Sequence, residues 1–180
     1  MLLNTIKISK KKTVPKSNNN LFLFDTGVSE NGVIHNLDVF GIDLNQIEGI
    51  ILSHGHFDHF TGLTNIIRKI SSRRTAAVNL FVHPDAFLKR WIVFPDGKRV
   101  KMPLLDEMHL ENIGLQVHRN TGVVLLPNEN FPLLLLTGEI PRVTSFEKGF
   151  PFQYVENDNE KNLTPDPLVK DDQAGISCER

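Results

Sequence analysis

IEGIILSHGHFDHFTGLTNIIRKISS, residues 47–72, decides how this chain reads. Its opening, IEGIILS (47–53), is an almost unbroken apolar run, the pattern of a strand covered on both faces. Its close, GLTNIIRKISS from Gly62, is amphipathic at helical spacing. Between strand and helix the chain packs His54, His56, Asp58 and His59 into six positions. A strand that ends rigidly and a loop that then curls let such side chains point to a common centre rather than to alternate faces.

Imidazole and carboxylate are ligands for Zn²⁺, Fe or Mn²⁺ rather than for Mg²⁺ or Ca²⁺. Gly55 permits a tight path between the first two histidines. His54 and His56 can then close on one metal, with Asp58 and His59 on a second beside it. Two such ions would hold a hydroxide, oriented by Asp58, and polarise a carbonyl or phosphoryl oxygen. The competing reading is a chance cluster of polar loop residues; its place after a strand and before a helix argues against chance. Zn²⁺ is the first expectation, one ion or two, with Fe or Mn as alternatives.

Outward from this centre the chain mixes strands and helices. LFLFDTG (21–27) reads as a buried strand stopping at a turn, and NGVIHNLDVFG (31–41) as a helix closed by Gly41. Asp43 caps a short turn. AAVNLFVHP (76–84) is a third strand, 85–91 a short helix, and DGK (96–98) a turn. VVLLP (123–127) and FPLLLLTG (131–138) read as a hairpin, and the polar stretch 156–167 as an exposed loop. The class is α/β or α+β. Three parts are expected: a basic and polar segment 1–20, one domain over 21–174, and a divergent tail 175–180.

The chain has 180 residues, 40% of them apolar, enough for one domain with a real core. A formal charge of −1 gives no reason to expect nucleic acid or an acidic membrane as partner. One cysteine, Cys178, builds no internal disulfide, which suits a reducing cytoplasm. The first residues have the wrong order for a secretory signal, and no apolar run is long enough to span a bilayer. The expected location is cytoplasmic.

ILSHGHFDHFTGL, preceded by LFDTG, resembles the signature of the metallo-β-lactamase superfamily. The resemblance implies an αββα sandwich with a one- or two-metal site at one edge. It also implies that Asp25 sits at a strand end and supports the metal loop from behind; the bland alternative is a turn cap. A narrower resemblance runs from Leu21 to Ala174 through FVHPDAF, LLLTGEIPRVTSFEKGFP and KDDQA. It is to the branch named for 7,8-dihydropterin-6-methyl-4-(β-D-ribofuranosyl)-aminobenzene-5′-phosphate synthase. The implied activity is a metal-dependent hydrolase or transferase acting on a small phosphorylated or pterin-like molecule.

In that branch a later strand and a histidine-bearing turn complete the ligand set after the DDQA segment, and a further histidine serves the second metal. Here GISCER follows, so the sandwich and the ligand set are expected to be incomplete. The alternative to an enzyme is a fragment or half of a split protein, binding metal weakly or not at all, that pairs with a copy of itself or with a complementing chain. His83, His109, His118 and His35 are read as structural or surface residues rather than replacements. Glu139 and Arg142, after a strand in TGEIPR, are candidates for substrate binding, because the planar fork of arginine suits phosphate and carboxylate. The plainer reading is an ion pair fixing the loop.

Overall fold

The structure is a computed structural model, and it describes residues 21–72, 76–126, 133–141, 143–146, 149, 151–157, 162–166, 173 and 175–178. Its centre is a four-stranded parallel sheet. The first strand, β1 (Leu21–Phe24), leads through the helix α1 (Gly32–Val39) to β2 (Ile47–Ile51). Gly41 follows α1 with φ +64°, a conformation that glycine adopts without penalty. Asp43 Oδ1 then accepts the Asn45 N–H at 3.0 Å and caps the 3-10 turn Leu44–Gln46.

After β2 come one helical turn, α2 (Phe57–Phe60), and the helix α3 (Leu63–Ser71). Leu63, Ile66, Ile67 and Ile70 of α3 are all buried, the i, i+3, i+4, i+7 stripe of a helix laid on a sheet. β3 (Val78–Val82) runs parallel to β2. A 3-10 turn, Pro84–Phe87, leads into β4 (Arg90–Val93), which turns back through β5 (Arg99–Lys101). The short helix α4 (Glu107–Asn112) returns the chain to β6 (Leu115–Arg119), parallel to β3. The parallel sheet has the order β1-β2-β3-β6.

The remaining strands are antiparallel. β7 (Val124–Leu126) and β8 (Leu133–Leu136) pair with each other. β9 (Gln153–Glu156) and β10 (Leu163–Pro165) form another pair, and β11 (Gly175–Cys178) joins β8. They make up two sheets, β10-β9-β4-β5 and β11-β8-β7.

Two apolar clusters show how the layers stack. On one face of the parallel sheet, Ile50, Leu52, Val78, Leu80 and Val82 pack with the buried residues of α1 and α3. On the other, Ile51 and Phe81 pack with Leu126 and Leu136 of β7 and β8. Strand alternation sends neighbours to opposite faces, so a strand covered on both sides must be apolar throughout. That is why IEGIIL carries so few polar residues. The layers are helices, parallel sheet and antiparallel sheet.

Three local expectations are corrected. Residues 85–91 do not form a helix; they hold the end of a 3-10 turn and the start of β4. The stretch 156–167 is not simply an exposed loop, since it holds the end of β9 and all of β10, and Asp166 is buried. The segment carrying His118 is a sheet strand, where the imidazole is half-buried, stacks on Phe81 and donates from Nε2 to Asn79 Oδ1 at 2.8 Å. Short strands are hard to read because their pairing partners are distant in sequence, and in a polar stretch such as 156–167 they look like loops. Residues 175–178, set apart in the sequence as a tail, pair with β8. The segment 1–20 lies outside the described residues. None of the described helices is long and apolar enough to cross a membrane.

Candidate functional site

The four motif residues lie where the parallel sheet ends and α2 begins. His54 and His56 occupy the loop after β2, and Asp58 and His59 sit on the single turn of α2. The rings of His54 and His56 meet edge-on with centroids 4.7 Å apart, and those of His54 and His59 lie 4.0 Å apart. Asp58 is half-exposed, its Oδ2 3.6 Å from His59 Nε2. All four motif side chains therefore gather at one sheet end.

Asp25 organises the back of this cluster. It follows β1 and its φ is +60°, an unusual backbone for a residue with a side chain, although aspartate tolerates it better than most. Its Oδ1 accepts the Ser53 N–H at 2.8 Å, and its Oδ2 accepts the Ser53 hydroxyl at 2.8 Å. The same Oδ2 lies 2.8 Å from His59 Nδ1. An ionised carboxylate only accepts, so His59 carries its proton on Nδ1. Ser53 Oγ spends its own proton on Asp25 and lies 3.0 Å from His54 Nδ1, so that nitrogen donates too. For both histidines a metal would be taken by Nε2.

His56 is held from the opposite side. Its Nε2 lies 3.0 Å from Asp166 Oδ2, which also accepts Arg90 Nε–H at 2.8 Å. Burial pushes the Asp166 carboxyl up, but the His56 hydrogen bond and the Arg90 charge outweigh this and hold it below the usual carboxylate range. The Arg90 guanidinium donates further to the carbonyls of Gly55 (3.2 Å), Ala86 (3.2 Å) and Asp85 (3.1 Å). The closeness explains Gly55: a Cβ there would stand 2.4 Å from Ala86 Cα and 2.5 Å from Arg90 Nη1.

Gln173 closes the cluster from behind the strand end. It is buried, its Nε2–H donates to Leu52 O at 2.7 Å, and its own N–H donates to Ser53 O at 2.9 Å. Asn120 Nδ2–H in turn donates to Gln173 Oε1 at 2.8 Å. So the backbone on the approach to His54 is fixed by a residue more than a hundred positions away.

Beside the motif opens a cavity lined by Gly55, His56, Asp58, Trp91, Met102 and Gln153 among others. Gln153 Oε1 is buried and, among the described residues, meets no hydrogen-bond partner. Trp91, on β4, donates its indole N–H to Glu156 Oε2 at 3.1 Å.

The donor chemistry fits a metal, because each motif histidine has one nitrogen anchored by a polar partner, as ligating histidines do. Among the described residues the number of donors falls short. Among the described residues, no three His, Cys, Asp or Glu side chains form a set that could hold an ion.

The other candidates are held by partners outside the motif. Glu139 bonds to His83 Nε2 at 3.1 Å, while His83 Nδ1 accepts the Asp85 N–H at 3.1 Å. His83 is therefore a buried cap to the 3-10 turn. His35 and His109 are exposed on α1 and α4. Arg142 lies outside the described residues. Sequence reasoning missed Asp166, Arg90, Ser53, Asn120 and Gln173 as parts of the site. The only hint was Gln173, inside the DDQA segment, and nothing local marked the others.

Comparison with known proteins agrees with this arrangement. A family model described as the metallo-beta-lactamase superfamily matches residues 14–145. One relative is the 7,8-dihydropterin-6-methyl-4-(beta-D-ribofuranosyl)-aminobenzene-5'-phosphate synthase of Methanocaldococcus jannaschii, 34% identical over 74 residues, which are 41% of this chain and 24% of the relative. An uncharacterized protein of the same organism is 37% identical over 138 residues, covering 72% of this chain and 46% of that one. Among solved structures, a metal-dependent hydrolase of the beta-lactamase superfamily superposes with a TM-score of 0.57 at 18% identity, over 87% of this chain and 50% of that one. The chain thus spans half or less of the length of each. With the motif at the strand end and the family model covering most of its length, the chain belongs to the metallo-β-lactamase superfamily.

Proposed function

We propose that this chain carries the motif half of a metal-assisted hydrolase or transferase site. The observation that supports this reading is the anchoring of three histidines, His54 and His59 on Nδ1 and His56 on Nε2, at one sheet end beside an open cavity. His54 and His56 would supply donors to one ion, Asp58 and His59 to a second, with Zn²⁺ the first choice and Fe or Mn the alternatives. A bound metal would supply Lewis-acid polarisation of a carbonyl or phosphoryl oxygen and an activated water. Asp25, through Ser53, orients His54 and His59; Asp58, half-exposed, lines the cavity beside the motif. The substrate class is a small phosphorylated or pterin-like molecule, on the strength of the similarity to the dihydropterin-related synthase. Arg142 and Glu139 remain proposed contacts to it, Glu139 being hydrogen-bonded to the buried His83.

The shortfall of donors among the described residues favours a second reading, in which another polypeptide or a second copy of this chain completes the site. Exposed Val123 and Leu125 on and beside β7 agree with it, being apolar positions that a covering layer would bury. Elemental analysis of the purified chain, beside a His54→Ala/His56→Ala variant, tests the first reading. Near-stoichiometric metal in the parent, lost in the variant, is the expected result. Little metal in either protein would overturn it.

A further inference from the structure

The sheet β10-β9-β4-β5 meets the motif with two acceptors that lack a donor. Gln153 Oε1 and Asp166 Oδ1 are both buried and, among the described residues, have no hydrogen-bond partner. The two residues are cross-strand neighbours. The Asp166 N–H donates to Gln153 O at 2.9 Å, which carries the β9–β10 register one step beyond the Pro165–Tyr154 pair. Residues opposite one another in an antiparallel pair send their side chains to the same face. By the same alternation that face also carries Arg90, which pairs with Val155. The Arg90 guanidinium is already directed at Asp166 Oδ2 and at the carbonyls of Gly55, Ala86 and Asp85. A buried acceptor left without a donor is costly, and two on adjacent strands call for a partner from outside the fold.

Gln153 lines the cavity beside the motif, together with His56 and Asp58 and a mainly apolar wall to which Phe57, Met102 and Pro103 contribute. We infer that this cavity is the subsite for a planar nitrogen heterocycle, and that Gln153 is its specificity-determining residue, its Oε1 accepting a hydrogen bond from a ring N–H or an amino group. The lining decides the class of ligand. An apolar wall suits the faces of a ring, and a single buried acceptor reads its edge. An anion set against Gln153 Oε1 and the Asp166 carboxylate would meet only oxygen lone pairs, so a phosphate does not belong at this end of the site. A site built to receive a donor also rejects an analogue that lacks one, because the acceptor is then left unpaired. Calling the ring part of a substrate rests on the function proposed above; its recognition by Gln153 requires no metal.

The experiment is an NMR titration of the metal-free, nitrogen-15-labelled 180-residue chain with two probes. One is 6-hydroxymethylpterin, which carries an amino group and a ring N–H. The other is 1,3-dimethyllumazine, a ring of the same shape with no N–H. Trp91, the single tryptophan, lines the cavity, so its indole N–H signal reports occupancy. The pterin is expected to shift that signal saturably and to bind at least about tenfold more tightly than the dimethylated ring. Inorganic phosphate is expected not to displace it. In Gln153→Leu, pterin affinity is expected to fall at least about fivefold. The urea midpoint of that variant is expected not to drop, since the acceptor removed had no partner in the fold. A merely structural glutamine would lower the midpoint and weaken both rings alike. A parent that binds neither ring, or both equally, overturns the inference, as does displacement of the pterin by phosphate or a smaller loss in Gln153→Leu. If Gln153→Leu does not fold, Gln153→Met is judged by the same thresholds, and failure of both to fold makes the amide a part of the fold and refutes the assignment. Pterin binding by a chain that takes up no metal overturns the metal reading and leaves the subsite standing.

Discussion

The buried Arg90–Asp166 pair sets up a double-mutant cycle whose outcome is fixed by its surroundings. Arg90→Met leaves the Asp166 carboxylate in a site where its side chain is 1% exposed, with His56 as its remaining partner. Breaking one half of a buried pair costs about 3–5 kcal/mol. The carbonyls of Gly55, Ala86, Leu88 and Asp85 lose the arginine in the same step, Asp85 O keeping the Leu88 N–H. Asp166→Leu strands the arginine, which keeps those carbonyls, so its cost falls at the lower end, about 3 kcal/mol. Simple addition would give about 6–8 kcal/mol for the double variant, as much as many domains possess. In Arg90→Met/Asp166→Leu no unpaired charge remains, and only the carbonyls and the His56 N–H are left wanting. The double variant is expected to cost about 4 kcal/mol, a coupling of about 2–4 kcal/mol. Urea denaturation at constant m-value reads all four corners of the cycle. Costs that add to within about 0.5 kcal/mol would refute the claim that the two charges depend on one another.

Gly55→Ala forces a methyl group to within 2.4 Å of Ala86 backbone atoms, and backbone cannot swing aside as a side chain can. A loss of at least about 1–3 kcal/mol is expected in chemical denaturation, and an unchanged midpoint would show that the loop relaxes freely. Ile66→Ala, at a fully buried position of α3, is expected to cost about 2–5 kcal/mol; a change below about 1 kcal/mol would mean that α3 is not docked on the sheet. Glu156 gives a pH signature. The Trp91 indole N–H, and Lys89 after it, outweigh desolvation and lower its folded pKa, so the unfolded chain binds the proton more readily. Its contribution is complete above the ordinary carboxylate value of about 4.3 and disappears as pH falls through the lower folded value. Parent and Glu156→Gln midpoints should differ at neutral pH and converge in acid, with the single tryptophan, Trp91, reporting by fluorescence. A gap that persists unchanged at pH 2 would contradict the sign.

By itself the sequence determined the elements whose chemistry is local. The strand before His54 is an apolar run because both its faces are covered, and periodicity reports that directly. Helix α3 shows its stripe, Gly41 its turn and Asp43 its cap within a few residues of where each acts. The motif itself was legible because its members are neighbours in the chain. What only the tertiary structure decided is everything held by partners far away. Asp166 reaches His56 across 110 positions, Gln173 reaches Leu52 across 121, and Asp25 reaches His59 across 34. A buried carboxylate and an exposed one look alike in a polar stretch, which is why 156–167 read as a loop. The sheet β10-β9-β4-β5 was hidden because cross-strand pairing depends on residues opposite in space, and no window of sequence contains them. The number of ligands could be counted along the chain, but the tautomer each histidine offers follows from which distant oxygen touches its other nitrogen.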